Sequence, residues 1–278
     1  MEFAEVIGGR RSIRLFRPWR PVEREKLQTV LEAMRLAPRL LGLDLIRIVV
    51  VHRERLSAEE LGALKTPTTT SQLDMAPVLI VPFADLGALE GALDGASLRA
   101  LAAAGALPRS LGWSDDFIET TVVPEVYRAL ADDEDRVALG RRTEDAQTVS
   151  RRLMVAATTA LGLAQTHGLL CAFDQGLGAQ LSAINFAAAK ELLGYPDDWL
   201  PSSPIFLGYP AESAAAGGQR PREPFERDFF LGRYGVPFPR DLEVTRQLAD
   251  EGVLQAPAPL PWRRAELRGV ASMLGLPT

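Results

Sequence analysis

Two uninterrupted apolar runs, Ile48-Val49-Val50-Val51 and Val78-Leu79-Ile80-Val81, constrain this chain more than any other feature. A strand wetted on one face alternates apolar with polar residues, and neither run does. They predict largely buried strands over residues 45–51 and 78–83. A third short run predicts a strand over 205–207, ended by Gly208, and Leu-Leu-Cys-Ala-Phe predicts one over 169–173. Between them lie helical patterns. Pro21, Glu23 and Glu25 open a helix over about 22–36, with Leu27, Val30, Leu31 and Met34 at helical spacing and Pro38 ending it. Residues 144–162 carry the clearest helical pattern, with many small residues that let another helix approach closely. A further helix is predicted over 179–193. The chain therefore mixes helices with largely buried strands.

Residues 84–142 fit neither pattern and exceed ordinary loop lengths. They are expected to be a helical, lid-like insertion, holding the acidic run 132–135 as a solvated turn. Ala214-Ala215-Ala216-Gly217-Gly218 reads as a flexible connection. Beyond it, seven prolines from Pro221 to Pro261 make an independent core difficult, so the extension 223–278 is expected to lie along another surface. There is no internal repeat, and no Gly-x-Gly-x-x-Gly follows a strand, so neither a solenoid nor a dinucleotide-type fold is indicated.

The net charge is −5, which gives no general attraction to nucleic acid or an anionic membrane. No stretch approaches the ~20 apolar residues of a membrane span, and residues 1–9 lack a signal-peptide pattern, so a cytoplasmic location is expected. One cysteine, Cys171, and two histidines, His52 and His167, argue against a disulfide or a metal site. The chemistry is therefore expected to need an organic cofactor. Against the acidic balance, Arg10, Arg11, Arg14, Arg17 and Arg20 crowd the N-terminal region, and Arg220 and Arg222 follow from far along the chain.

Four segments in order resemble the FMN-dependent nitroreductase-like family. The first is Arg10-Arg11-Ser12-Ile13-Arg14 with Phe16 and Pro21-Val22. The second is Ala37-Pro38, followed by Arg47 to Val51. The third is Ala76-Pro77-Val78-Leu79-Ile80-Val81, then Met154 to Ala157 and Leu161-Gly162-Leu163. The fourth comprises Leu192-Leu193-Gly194-Tyr195-Pro196, Pro204 to Pro210, and Arg220-Pro221-Arg222-Glu223-Pro224. The resemblance implies an α+β fold with a central, mostly antiparallel sheet flanked by helices over residues 1–222, an intertwined homodimer, and an extension 223–278 that packs on the partner subunit. It implies FMN as cofactor and NADH or NADPH as a possible electron donor.

By the same resemblance, Arg10, Arg11, Ser12, Arg220 and Arg222 belong to the phosphate side of the FMN site, and Arg14 to the pyrimidine edge of the ring. A phosphate near two negative charges and a ring that becomes anionic on reduction both call for cations. The partner-side share of the site is assigned to Pro38, Arg39, Leu40 and Gly42, and where the family has Ser, Asn, Gln and Pro-Trp this chain has Arg39, Gly42, Asp44, Leu45 and Ile46. Arg39 either reaches a flavin phosphate or pairs with Asp44; the sequence leaves both open. No catalytic residue is assigned. His167 is weighed as a proton donor against a helix-end dipole partner, Cys171 as a small hydrophobe, and Trp113 and Tyr127 as substrate-stacking rings against packing residues. The implied function is an oxidoreductase acting on a small organic substrate, either a specialised dehydrogenase or reductase or an oxygen-using flavin enzyme. The alternative is a flavin-poor binding or partner subunit.

Overall fold

The structure is a computed structural model, and it describes residues 2–39, 44–88, 94–127 and 151–277. In chain order the elements are α1 (Phe3–Gly9), α2 (Arg24–Arg35), β1 (Ile46–His52), α3 (Ala58–Leu64), α4 (Thr70–Met75), β2 (Val78–Asp85), α5 (Ala96–Ala103), α6 (Arg151–Asp174), β3 (Gly178–Leu181), α7 (Phe186–Leu193), β4 (Trp199–Pro201), β5 (Ile205–Gly208), α8 (Leu242–Asp250) and α9 (Arg263–Leu274). The sheet runs β1-β2-β5-β3, with β4 also pairing with β2, and every pairing is antiparallel.

The apolar runs are explained by a sheet covered on both faces. Val78 and Ile80 of β2, with Ile205 and Leu207 of β5, pack under α2 and α6 against Val30, Met34, Ala164 and Leu169. Their alternates Leu79, Val81, Phe83 and Phe206 face a second core built from Ile13, Phe16, Leu64, Leu73 and Ile184. Every residue of β2 and β5 is buried, so the pleat has no wet face, and the charged residue at the end of β2, Asp85, is paired with Arg47 at 3.0 Å. β1 departs from expectation: only Val51 is buried and the other six residues are half-buried. It pairs with β2 alone among the described strands, which leaves it at an edge.

Helix α2 follows its sequence signals. It buries Leu27, Val30 and Met34, and its C-cap residue Leu36 precedes Ala37-Pro38, where the proline disfavours further helix. Two sequence expectations are corrected. Residues 169–173 are not a strand; they continue α6, with Leu169 and Ala172 buried at helical spacing. A five-residue apolar run carries no period that separates strand from buried helix. Gly168, which would ordinarily weaken a helix, lies where an added Cβ would meet Met34 Cγ at 2.8 Å, so it permits close approach to α2. The helix ends at Gly176, whose φ of +71° and hydrogen bonds (Gly176 N to Phe173 O, Leu177 N to Ala172 O) form a left-handed cap.

The helix expected over 179–193 is also shorter than its pattern. Gly178–Leu181 is strand, and Asn185 caps α7 by accepting from Ala187 N and Ala188 N. The cause is the N-terminal segment, which lies against β3: Ile13 N donates to Ala179 O at 3.1 Å, and a Cβ on Gly178 would stand 2.8 Å from Ile13 Cγ2. Gly178→Val is accordingly expected to lose about 1–3 kcal/mol of stability in urea denaturation, because Ile13 must be pushed off the sheet.

The described part of the insertion is helical. Leu98 and Ala102 of α5 pack on Ile118 and Val122 of the wide-turn helical segment Ile118–Tyr127. The acidic run 132–135 lies outside the described residues, as do residues 144–150 of the expected central helix. Residues 214–218 are an ordered turn rather than a loose connection: Ala216, Gly217 and Gly218 all have positive φ, and a Cβ on Gly218 would lie 2.9 Å from the Ala258 backbone. Of the extension beyond 223, the part from Gly252 onward docks on its own chain through Gln255, Arg263, Leu274 and Leu276. Residues 225–250 carry instead an exposed apolar set including Phe229, Leu231, Tyr234 (89% exposed) and Leu242. Among the described residues no helix is long and apolar enough to cross a membrane.

Candidate active site

The N-terminal segment is irregular backbone held by isolated bridges, with its buried apolar residues three apart. Ile13 and Phe16 point into the core, while Arg14 and Arg17 are exposed. Backbone pairing fixes the register on both sides: Ser12 bridges Ala179, Arg17 N donates to Tyr209 O, and Ala211 N donates to Leu15 O. Tyr209 anchors the corner. Its hydroxyl lies 2.6 and 2.8 Å from the Glu23 carboxylate oxygens, and the exposed Arg20 stacks its guanidinium 3.4 Å from the ring centroid.

The Tyr209 bond holds the Glu23 carboxyl below its ordinary value of 4.5. A depressed native pKa stabilises the fold fully above that ordinary value, and the contribution disappears as pH falls through the native one. Tyr209→Phe should move the Glu23 titration upward, as followed by NMR of the carboxyl carbon; an unmoved titration would show that the hydroxyl is not the cause.

Immediately after this corner, Glu212 is fully buried and acts as a junction. One carboxylate oxygen accepts from Arg14 N (2.6 Å) and Leu15 N (3.0 Å), and the other from Arg263 of α9. Arg263 also pairs with Glu266 at 2.8 Å, and the two carboxylates raise its pKa against the opposing effect of burial. The following turn, residues 214–218, then reverses the chain and delivers Gln219, Arg220 and Arg222 to the N-terminal segment.

The result is a cleft of about 290 Å³ lined by Arg10, Arg11, Ser12 and Arg14 from one end of the domain and by Arg220 and Arg222 from the other. Arg11 is structural: it is buried and donates to Gly8 O (2.6 Å), Arg10 O (2.8 Å) and Gln255 Oε1 (2.8 Å), with its Nε buried and unpaired. Arg10, Arg220 and Arg222 make no ion pair with any described carboxylate. Burial first, and then the charge of Arg222, lowers the pKa of Arg10. Burial, then Arg10, does the same to Arg11. Guanidinium groups that repel one another across a cleft without a counter-charge have their hydrogen-bond donors free for an anion.

The profile of the Nitroreductase family matches residues 7–209 of this chain. The chain belongs to the nitroreductase family. Members of this family are FMN-dependent oxidoreductases. Solved structures agree on the fold. A nitroreductase-like protein from Streptococcus mutans superimposes with a TM-score of 0.58 at 16% identity, covering 80% of this chain and 94% of that one. A gut-bacterial enone reductase, CLA-ER, gives 0.57 at 18% identity, covering 84% and 98%. A protein from Exiguobacterium sibiricum, solved in complex with FMN, gives 0.56 at 20% identity, covering 81% and 94%. No curated protein is matched.

Within this nitroreductase-family fold the remaining candidates lie elsewhere. Pro38 and Arg39 do not line the cationic cleft of their own chain, and Leu40 and Gly42 lie outside the described residues. Within its own chain Arg39 pairs with Asp44: its Nε lies 3.5 Å from that carboxylate, its Nη2 donates to Arg35 O at 3.0 Å, and its Nη1 is buried with no partner among the described residues. There it favours the C-terminal end of α2. His167 Nδ1 lies 3.3 Å from Ala33 O, tying α6 to α2, and Cys171, its pKa raised by burial and by Asp174, is a poor nucleophile. Gln165 is buried and donates to Ser203 O at 2.7 Å. Trp113 packs edge-on against Phe117 within the insertion core. Sequence reasoning missed Glu212, Gln255 and Arg263. Only Glu212 had a signal, its place two residues after the Tyr209-Pro210 corner.

Proposed function

We propose that this chain is an FMN-dependent oxidoreductase of the cytoplasm that acts as a homodimer on a small organic substrate, with NADH or NADPH as electron donor. One observation carries the proposal: Arg10, Arg220 and Arg222 converge on a cleft in which no described carboxylate neutralises them. Arg10, Ser12, Arg220 and Arg222 would hold the FMN phosphate, with Arg11 fixing the backbone beneath them. Arg14, exposed at the rim, would face the pyrimidine edge of the ring and favour negative charge developing there. When bound, FMN accepts a hydride equivalent from a reduced nicotinamide or substrate and passes electrons to a second acceptor.

Two features favour a second subunit. A cleft of about 290 Å³ sits at the bottom of the ~300–1,000 Å³ range of ligand sites, so one chain supplies part of an enclosure. The apolar side chains of residues 225–250 also form the kind of surface that a soluble protein covers. In the dimer, Pro38, Arg39, Leu40 and Gly42 of one subunit would stand toward the flavin of the other. The altered side chains at these positions favour a specialised dehydrogenase or reductase, or an oxygen-using flavin enzyme, over an open nitroreductase.

The test is spectroscopic. The purified protein should be yellow or take up FMN, release FMN on denaturation, bleach anaerobically with NADH or NADPH, and sediment as a dimer. A colourless monomer that takes up no FMN would overturn the reading. A flavin unreduced by either nicotinamide would overturn only the donor.

A further inference from the structure

A second cavity lies on the other side of the Arg14–Leu15 peptide. It measures about 640 Å³ and is lined by the apolar side chains of Leu15, Leu260, Leu267 and Leu276, together with Pro259, Pro261 and Ala271. Its polar groups are arginines of α9. Arg263 is neutralised by Glu212 and Glu266, but Arg264 and Arg268, both exposed, have no ion-pair partner among the described residues. They stand four residues apart, one above the other on a single helix face, where like charges oppose helix formation. Arg264 also falls in the first turn, where the helix dipole disfavours a cation. An anion at this rim would relieve both effects.

The size of the cavity is within the ~300–1,000 Å³ of small-molecule sites, and its apolar walls with a few convergent charges match their usual composition. It shares no lining residue with the flavin cleft. We propose that the groove between α9 and the loop carrying Pro259 and Pro261 is a second binding site, for a small amphipathic carboxylate whose aliphatic or aryl body lies on Leu260, Leu267 and Leu276 and whose carboxylate meets Arg264 and Arg268. The charge of the rim selects the anion, and the walls select the body.

Octanoate titrated into the full-length, FMN-supplied protein by calorimetry tests this, with octanol and octyltrimethylammonium as length-matched controls. Octanoate is expected to bind saturably and more tightly than either control. Arg264→Ala/Arg268→Ala should weaken octanoate by roughly tenfold or more while leaving octanol unchanged, because only the charge-assisted bonds are lost. Ala271→Trp, which fills the cavity, should abolish both. FMN content should stay at the wild-type level in every variant, which separates this site from the flavin reading. Absence of saturable octanoate binding, equal binding of the three probes, or an unaffected double variant would overturn the proposal. So would dissociation of a dimer by Ala271→Trp, which would place a second copy of the chain in the groove.

Discussion

Arg222→Ala is expected to weaken FMN binding about 10- to 100-fold, since one charge-assisted hydrogen bond to a phosphate contributes ~1.5–3 kcal/mol and each ~1.4 kcal/mol is a decade. Arg24→Ala, on the exposed first turn of α2, is the matched control and should leave binding unchanged. The FMN-free protein responds in the opposite sense. Burial, and after it the charge of Arg222, lowers the pKa of Arg10, so removing Arg222 relieves the repulsive part of that strain and leaves the burial of Arg10 unchanged. The melting temperature of the flavin-free variant should therefore equal or exceed that of the wild type, while the flavin-loaded variant melts lower. Equal FMN retention in Arg222→Ala and Arg24→Ala would remove the phosphate assignment.

Glu212→Ala is expected to destabilise the fold by about 3–5 kcal/mol, the cost of removing one partner from a buried ion pair. Its side chain is wholly buried and serves Arg14 N, Leu15 N and Arg263 at once, so truncation leaves two backbone donors without that acceptor and Arg263 with Glu266 as its remaining partner. The effect should reach the flavin as well, because Arg14 lines the cleft that Glu212 positions from beneath. Glu212→Met/Arg263→Met, which removes both charges, should cost less than the sum of the two single changes. Denaturant unfolding of the four proteins measures this coupling; strict additivity would show that the pair is not the source.

What the sequence revealed of this fold follows from where each side chain is buried. β2 and β5 were legible because a strand covered on both faces has no wet position along its length, and Val78–Asp85 and Ile205–Gly208 are buried throughout, with a charge only at the end of β2. Leu169 to Phe173 misled for the same reason, since an apolar run inside a buried helix has no wet face to reveal its period. β3 was illegible because Gly178 and Ala179 have little strand preference; pairing with β5 and the press of Ile13 decide their conformation. In the candidate site, the arginines stood out against an acidic chain at two distant places. Glu212, Gln255 and Arg263 did not, because each is a single polar residue whose role exists only once the chain ends have closed. Arg39 was ambiguous because its choice of Asp44 depends on how the chain leaves α2.

The central claim is that guanidinium groups from both ends of the domain grip the phosphate of FMN. The most direct measurement is the ratio of FMN to riboflavin affinity in the wild-type protein, since the two ligands differ only in that phosphate. The account predicts FMN binding tighter by roughly a hundredfold or more, two charge-assisted contacts being enough for that, with the preference shrinking as salt is raised. Equal affinity for the two flavins, indifferent to salt, would contradict it.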